Sequence, residues 1–115
     1  MKIRIAIPTT KHTGLKDRVS KVFGKAKTFT IIDVEDEEVK NIRVIDNPAE
    51  SYEYGSGPVA VKTLADEEVD WVVTGHLGPG AANILEHYNI SHFLVESDQK
   101  VSACLKEALS EFKTE

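Results

Sequence analysis

The order of the predicted elements indicates an α/β fold, with one mixed five-stranded sheet and helices on both of its faces. Two observations predict it. In the first half of the chain, three segments rich in β-branched residues follow one another, and the last two are separated by a short turn, as in an antiparallel meander. In the second half, strand and helix patterns alternate, which is typical of parallel strands joined by right-handed crossovers. The predicted order is therefore β-β-β-α-β-α-β-α.

The first half of the chain contains three predicted strands. Isoleucine alternates with other residues over 3–7, a period of two that predicts a strand ending at Pro8. A polar loop and one short helical turn, closed by Gly24, are expected next. Two strands rich in β-branched residues follow at 28–34 and 39–45, and the acidic turn between them predicts an antiparallel hairpin.

The second half contains two helix–strand pairs and a final helix. Pro58 and Pro79 each follow a glycine, and proline suits the first turn of a helix because its missing N–H would be unpaired there. Segments with few charges at 70–74 and 90–95 predict the two strands, as expected near the centre of a sheet. The final helix has apolar residues at a 3.6-residue period: Val101, Cys104, Leu105, Ala108, Leu109 and Phe112.

The first and fourth strands are expected to lie side by side at the centre of this sheet. A meander followed by alternating elements is the arrangement of ribonuclease-H-like folds, and we infer it by analogy of element order. We expect a single domain over residues 1–115, since domains usually contain about 100–150 residues. A chain of this length can bury one core without disulfides.

Composition and charge exclude several classes of protein. The chain has a net charge of −5, whereas broad nucleic-acid binding needs a basic face. Its one cysteine can form neither an internal disulfide nor a multi-cysteine metal site. No apolar run approaches the ~20 residues of a membrane span, and the N-terminus lacks a signal-peptide core. We therefore expect a cytoplasmic protein, a monomer or weak dimer, that binds neither nucleic acid nor membrane.

The positions of the acidic residues disfavour a two-metal nuclease, the enzyme class that this fold first suggests. Two divalent ions need several carboxylates that converge at strand ends. The first strand has no acidic residue, Asp70 begins the fourth strand instead of ending it, and residues 66–68 lie in the last turn of a helix. No Gly-x-Ser-x-Gly nucleophile elbow is present for a serine hydrolase. We predict no catalytic residues and a protein that is not an enzyme.

A ligand is expected beyond the carboxyl ends of the parallel strands. Two helices begin there with Gly-Pro, and their free N–H groups and positive dipole end favour an anionic group. The alternative is that these glycines and prolines only cap the helices. Neither loop has the glycine spacing of a P-loop or of a dinucleotide-binding fingerprint.

Two histidines and the cysteine are the remaining candidates for chemistry. His12 follows the first strand and His76 follows the fourth. If these strands are neighbours, both imidazoles could bind one metal ion, and exposed loop histidines are the alternative. Cys104 lies on the apolar stripe of the last helix, where a buried thiol behaves as a small hydrophobic side chain.

Several segments together resemble the nitrogenase iron–molybdenum cofactor biosynthesis and carrier family in order and spacing over nearly the whole chain. These segments are 2–9, 17–26, 45–48, 54–57 and 70–82. The resemblance implies a small stand-alone member of this nitrogen fixation-related family, with a ribonuclease-H-like fold that agrees with the element order. It also implies non-enzymatic binding of an iron–molybdenum or iron–sulfur cofactor or precursor, and its transfer between proteins.

The chain departs from the family pattern at two positions. Family members commonly have histidine before the Phe-Gly pair and before the Gly-x-Gly loop, where this chain has Val22 and Tyr54. A phenol can bind iron, whereas valine has no donor atom. Two functions therefore stay open. One is a metal-cofactor carrier whose partner is a cofactor donor or acceptor protein, and the other is a cofactor-free interaction protein that pairs through an edge strand.

The site is expected at the strand-end crevice. Tyr54 and His76 would be possible ligands, while Gly57 and Gly78 would provide the geometry for backbone donors. His12 and His76 are predicted to form a metal site that replaces the missing histidines. The predicted cofactor-lining residues are Ser20, Phe23, Gly24, Tyr54, Gly55, Gly57, His76 and Gly78.

Overall fold

The computed structural model describes residues 2–112, which form five strands, three α-helices and one short 3-10 turn. The strands are β1 (Lys2–Thr9), β2 (Thr28–Glu35), β3 (Glu38–Asp46), β4 (Trp71–Thr74) and β5 (Ser91–Leu94). The helices are α1 (Ser56–Asp66), α2 (Pro79–His87) and α3 (Val101–Phe112), and the 3-10 turn is Gly14–Lys16. Every predicted strand and long helix is present in the predicted order.

The strands form one mixed sheet in the order β3-β2-β1-β4-β5. β2 is antiparallel to both β1 and β3, and β4 is parallel to both β1 and β5. The first and fourth strands are therefore neighbours at the centre, as predicted. This arrangement confirms the predicted α/β class with a mixed five-stranded sheet.

Helices cover both faces of the sheet and enclose two apolar clusters. On one face, α1 and α2 bury Leu64 and Leu85 completely. On the other face, α3 packs against β1 and β4. Side chains alternate along β1, so Ala6 belongs to the first cluster while Ile5 and Ile7 belong to the second. Within residues 2–112, no helix combines the length and apolar character that crossing a membrane requires.

Strand β1 continues past its predicted end at Pro8. Pro8 lies opposite Phe29 of β2, and its carbonyl oxygen accepts a hydrogen bond from the N–H of Ser20 at 2.8 Å. The backbone nitrogen and the carbonyl of one strand residue point toward the same side of the strand. Pro8 therefore faces away from β2, and its missing N–H removes no hydrogen bond from the β1–β2 ladder.

The helical turn predicted before Gly24 is wrong. Val19 is extended and forms an isolated bridge with Thr9, and its N–H donates to the carbonyl of Gln99 at 2.9 Å. The short helical turn lies earlier, at Gly14–Lys16. Apolar spacing over so few residues did not distinguish a helical turn from an extended segment that pairs with a distant loop.

Arg4 joins the amino end of β1 to β2 and to the end of α1. Its Nε donates to Asp33 Oδ1 at 2.6 Å, and its Nη1 donates to the carbonyl of Glu67 at 2.8 Å. Both charged side chains are less than one-third exposed, at 30% and 28%. The hydrogen bond and the positive charge of Arg4 hold the pKa of the Asp33 carboxyl below its usual value, although burial opposes the shift.

We expect Asp33→Asn to lower the free energy of unfolding by about 1.5 kcal/mol at neutral pH, because hydrogen bonds to charged groups contribute roughly that much. The lowered pKa means that this stabilisation is present above the unfolded-state pKa of about 3.9 and is lost as the pH falls through the folded-state pKa. Urea unfolding should therefore show a difference in stability between the wild type and Asp33→Asn at neutral pH, and this difference should become smaller at strongly acidic pH. Asp66→Asn breaks the exposed pair with Lys62 and should cost less than about 0.5 kcal/mol. A difference for Asp33→Asn that does not change with pH would contradict the prediction.

Candidate functional site

The candidate site lies at the sheet edge where the parallel strands β1 and β4 end. β2 is antiparallel to β1 and therefore begins at this edge. β3 is antiparallel to β2 and therefore ends there. The loops 10–27, 47–55 and 75–78 therefore meet at this edge, and α1 and α2 both begin there. It is the edge that the sequence predicted for a ligand.

The starts of α1 and α2 lie side by side. A methyl group added at Gly57, in the first turn of α1, would lie 3.7 Å from Cβ of Ala81 in the first turn of α2. The positive dipole ends of both helices therefore face the same crevice. Together they form a locally positive surface on a chain whose net charge is −5.

Neither helix start is capped by a side chain. The N-cap residues are Gly55 and Gly78, and no side chain bonds to either start. Gly55 has a φ of 74°, in the left-handed region that favours glycine, which lets the loop turn into α1. α1 begins two residues before the predicted Pro58, and α2 begins at Pro79 as predicted. The remaining N–H groups of both first turns have no partner within their helices.

The loop before β2 packs against the start of α1 at Gly24. A methyl group added at Gly24 would lie 2.8 Å from Oγ of Ser56 and 2.9 Å from the backbone nitrogen of Gly57. Only glycine permits this approach without a shift of the backbone. The fold thus brings together two predicted site residues, Gly24 and Gly57, that are far apart in the sequence.

Asn47 holds this loop in place, a role that the sequence analysis missed. Its Nδ2 donates to the carbonyl oxygens of Gly24 at 3.0 Å and Ala26 at 2.9 Å, and its Oδ1 accepts from the N–H of Ala49 at 3.0 Å. An amide side chain can donate and accept at once, which neither a carboxylate nor an apolar side chain can do. An Asn-Pro pair is typical of a turn, but the pair by itself does not indicate these partners.

Asp17 orders the chain just after β1 and was also missed. Its Oδ1 accepts from Oγ1 of Thr10 at 2.9 Å and from the N–H of Arg18 at 2.7 Å. Its Oδ2 accepts from the N–H of Lys11 at 2.8 Å. Asp17 is only 3% exposed, whereas an acidic residue in a polar loop is usually solvated. This carboxylate therefore stabilises the loop, and no signal in the sequence distinguished it from a surface residue.

The two predicted metal-binding histidines have different surroundings. Nε2 of His12 lies 2.7 Å from Oδ1 of Asp46, at the end of β3. His76 is exposed beside β4, and its carbonyl oxygen accepts from Oγ1 of Thr74 at 3.1 Å. β3 and β4 lie on opposite sides of β1 in the sheet. The shared metal site therefore stays a prediction, in which His12 would leave Asp46.

The other predicted side chains divide into buried and exposed groups. Oγ of Ser20 accepts from the N–H of Val22 at 3.2 Å, and Ser20 is 5% exposed. The Phe23 ring is buried and packs on Phe29, with ring centroids 5.5 Å apart. Tyr54, by contrast, is 84% exposed. Phe23 thus supports the loop from the core, while Tyr54 is free to contact a ligand or a partner.

Cys104 lies in the apolar cluster under α3, as predicted. Burial raises the pKa of its thiol to about 12. The thiol therefore stays protonated at neutral pH, and it provides no thiolate ligand at the strand-end crevice.

Comparisons with known proteins agree with this architecture. The family model described as dinitrogenase iron-molybdenum cofactor matches residues 1–111. An uncharacterized protein of Methanocaldococcus jannaschii is 25% identical over 104 residues, which are 90% of this chain and 83% of the relative. The apo form of the orange protein from Desulfovibrio gigas has a TM-score of 0.81 and 27% identity, covering 94% of this chain and 88% of its own. The crystal structure of PH0822 has a TM-score of 0.80 and 28% identity, and the match covers 95% of this chain and 92% of that chain.

Proposed function

We propose that this chain, which belongs to the dinitrogenase iron-molybdenum cofactor family, is a non-enzymatic carrier of a metal cofactor. Its cargo is an iron–molybdenum or iron–sulfur cofactor or a precursor of one. The observation that carries the proposal is the pair of adjacent helix starts, both without side-chain caps, at the carboxyl edge of the sheet. Such starts bind anionic groups through backbone N–H donors and the helix dipole.

The donor set at this edge favours a preassembled cluster over a bare metal ion. Within residues 2–112, no three His, Cys, Asp or Glu side chains converge on a point where they could hold a metal ion. A transition-metal ion held by protein side chains alone typically has about four ligands. A cluster brings most of its own ligands, so backbone donors and one or two side chains suffice to hold it. The same weak attachment suits a carrier, because the cargo must also leave.

Tyr54 and His76 are the side chains that we assign to the cargo. Tyr54 immediately precedes the glycine that caps α1, and His76 lies between β4 and α2, so each stands beside one of the two helix starts. Both are exposed and have oxygen or nitrogen donors that bind iron. In this proposal, His12 provides a second imidazole ligand, which binds the same cargo as His76.

Anaerobic reconstitution tests the carrier function. The purified chain is incubated with a preassembled iron–sulfur or iron–molybdenum–sulfur cluster and then desalted, and its bound metal and visible absorption are measured. We expect bound metal in the wild-type chain and loss of most of the bound iron in the double variant His12→Ala/His76→Ala. His87→Ala/His92→Ala makes the same chemical change at exposed positions outside the crevice, and it should bind like the wild type. A colourless, metal-free wild-type chain would contradict the proposal and favour a cofactor-free interaction protein.

A further inference from the structure

We propose that two loops at the mouth of the crevice, 10–27 and 52–55, form a docking surface for an acidic protein. This inference rests on the proposed carrier function, since the partner would be the donor or the acceptor of the cargo. Beyond that function, the inference specifies where on this chain the partner binds and that the partner's own surface is acidic. Three observations support it: the charge of the first loop, the absence of salt bridges to its cations within the described part of the chain, and the exposed apolar side chains in the same two loops.

Positive charge is concentrated in loop 10–27. The loop has six basic residues and one acidic residue, a formal charge of +5 in a chain whose total is −5. The acidic residue, Asp17, is buried and its carboxylate is fully engaged with Thr10 and backbone N–H groups. The basic residues are all exposed: Lys11, Lys16, Arg18, Lys21, Lys25 and Lys27.

These cations form no salt bridge within the described part of the chain. Within residues 2–112, the lysines and arginines that form salt bridges lie in β1, β3 and α1: Arg4, Lys40, Arg43 and Lys62. In loop 10–27, Arg18 donates to the carbonyl oxygen of Asp98 at 2.7 Å, and none of the lysines is in a salt bridge. Clustered like charges repel one another, and a complementary acidic surface would remove that cost.

Lys21 and Lys25 are the cations of this loop that lie nearest in sequence to its contact with α1. Lys11 and Lys27 line a pocket that also contains Asp46 and Glu50, so their charge is partly opposed by nearby carboxylates. Lys21 and Lys25, in contrast, flank Gly24 at the point where the loop meets α1. They therefore lie directly at the crevice.

Exposed apolar side chains lie in the same two loops. Val22 is 46% exposed, Tyr52 is 43% exposed and Tyr54 is 84% exposed. Val22 lies two residues before Gly24 and Tyr54 lies two residues before Ser56, so both are close in sequence to the contact between Gly24 and the start of α1. Tyrosine is enriched among residues that anchor protein interfaces, while rim charges steer the partner and fix its orientation.

A protein fits this surface better than a nucleic acid does. The positive charge is local, and the rest of the chain is negative. A polyphosphate backbone extends beyond the loop and would meet that negative surface within a Debye length, whereas an acidic patch on a protein can be confined to the loop. A partner docked here would also cover the crevice, so that the cargo could pass between the two proteins without entering bulk water.

Site-specific photocrosslinking in host cells tests the docking surface. A photoreactive phenylalanine analogue replaces Val22, or in a control replaces Tyr88, an exposed tyrosine at the end of α2. We expect an adduct with a discrete protein from the Val22 position only, and the protein is then identified by mass spectrometry and purified. No adduct beyond the Tyr88 control, or an adduct with nucleic acid, would overturn the proposal.

Affinity measurements with the purified partner complete the test. Lys21→Glu/Lys25→Glu should weaken binding by at least about tenfold, with a strong dependence on salt. Lys62→Glu/Lys106→Glu makes the same change in net charge at exposed positions outside the loops and should alter binding by no more than about twofold. An equal loss of affinity for the partner in both double variants would overturn the proposal. Cluster reconstitution needs no partner, so a wild-type chain that binds metal, together with no protein adduct from the Val22 position, refutes the docking surface alone.

Discussion

Replacing Asn47 by alanine should lower the free energy of unfolding by about 3 kcal/mol, since each buried polar group left without a partner costs about 1–3 kcal/mol. The change orphans the carbonyl oxygens of Gly24 and Ala26 and the N–H of Ala49. It also releases the loop that closes against α1, so metal uptake should fall with stability.

Urea unfolding followed by the fluorescence of Trp71 measures the effect of this change. Trp71 is the one tryptophan of the chain, and its ring packs on Phe112 with centroids 4.2 Å apart, so its emission reports the loss of the core. Asn83→Ala is the matched control, because Asn83 is exposed on α2 and should change stability by less than about 0.5 kcal/mol. A loss below about 1 kcal/mol for Asn47→Ala would show that water replaces the missing amide.

Replacing Gly24 by alanine should cost about 2 kcal/mol, the cost typical of forcing extra volume into a packed contact. The added methyl group would meet the backbone of Gly57 at 2.9 Å and 3.2 Å, and backbone atoms cannot rotate away as a flexible side chain can. The loop must therefore move away from α1, which widens the crevice and should weaken cluster binding.

Gly80→Ala is the control for this prediction. Gly80 lies in the first turn of α2 at the same sheet edge, and a methyl group there has no neighbour within 4 Å. Alanine should leave stability unchanged or raise it by up to about 1 kcal/mol, because it restricts the unfolded chain. Equal destabilisation by both substitutions would show that loss of glycine itself, and not the close approach at Gly24, is responsible.

The element order was predictable because it depends on local periodicity. Alternating isoleucines in β1 and the 3.6-residue stripe of α3 express burial on one side of an element, and the sheet satisfies both patterns. The errors lie where distant partners decide the conformation. Pro8 stays in β1 because its carbonyl bonds to Ser20, and Val19 is extended because it bonds to Gln99, eighty residues away in sequence.

The position of the helix starts at one sheet edge was predictable, whereas the surroundings of the residues there were not. Helix starts that follow strand ends must meet at one edge of the sheet, so Gly57 and Gly78 could be placed there from element order alone. Asn47 and Asp17 could not be assigned, because their role depends on burial and on partners that only the folded chain supplies. The proximity of His12 to Asp46 likewise follows from the β2–β3 pairing, which places the end of β3 beside the loop after β1.

The sequence by itself determined the α/β class, the order of the elements, the buried position of Cys104 and the sheet edge at which α1 and α2 begin, since these follow from residue spacing. Its net charge of −5 did not indicate where on the surface the charges lie. Only the tertiary structure showed that Gly24, in the loop with six exposed basic residues, meets the start of α1, and that Val22 and Tyr54 are exposed. The reason is physical: spacing along a chain fixes which side of an element is buried, whereas a surface is made by residues from separate loops that only folding brings together.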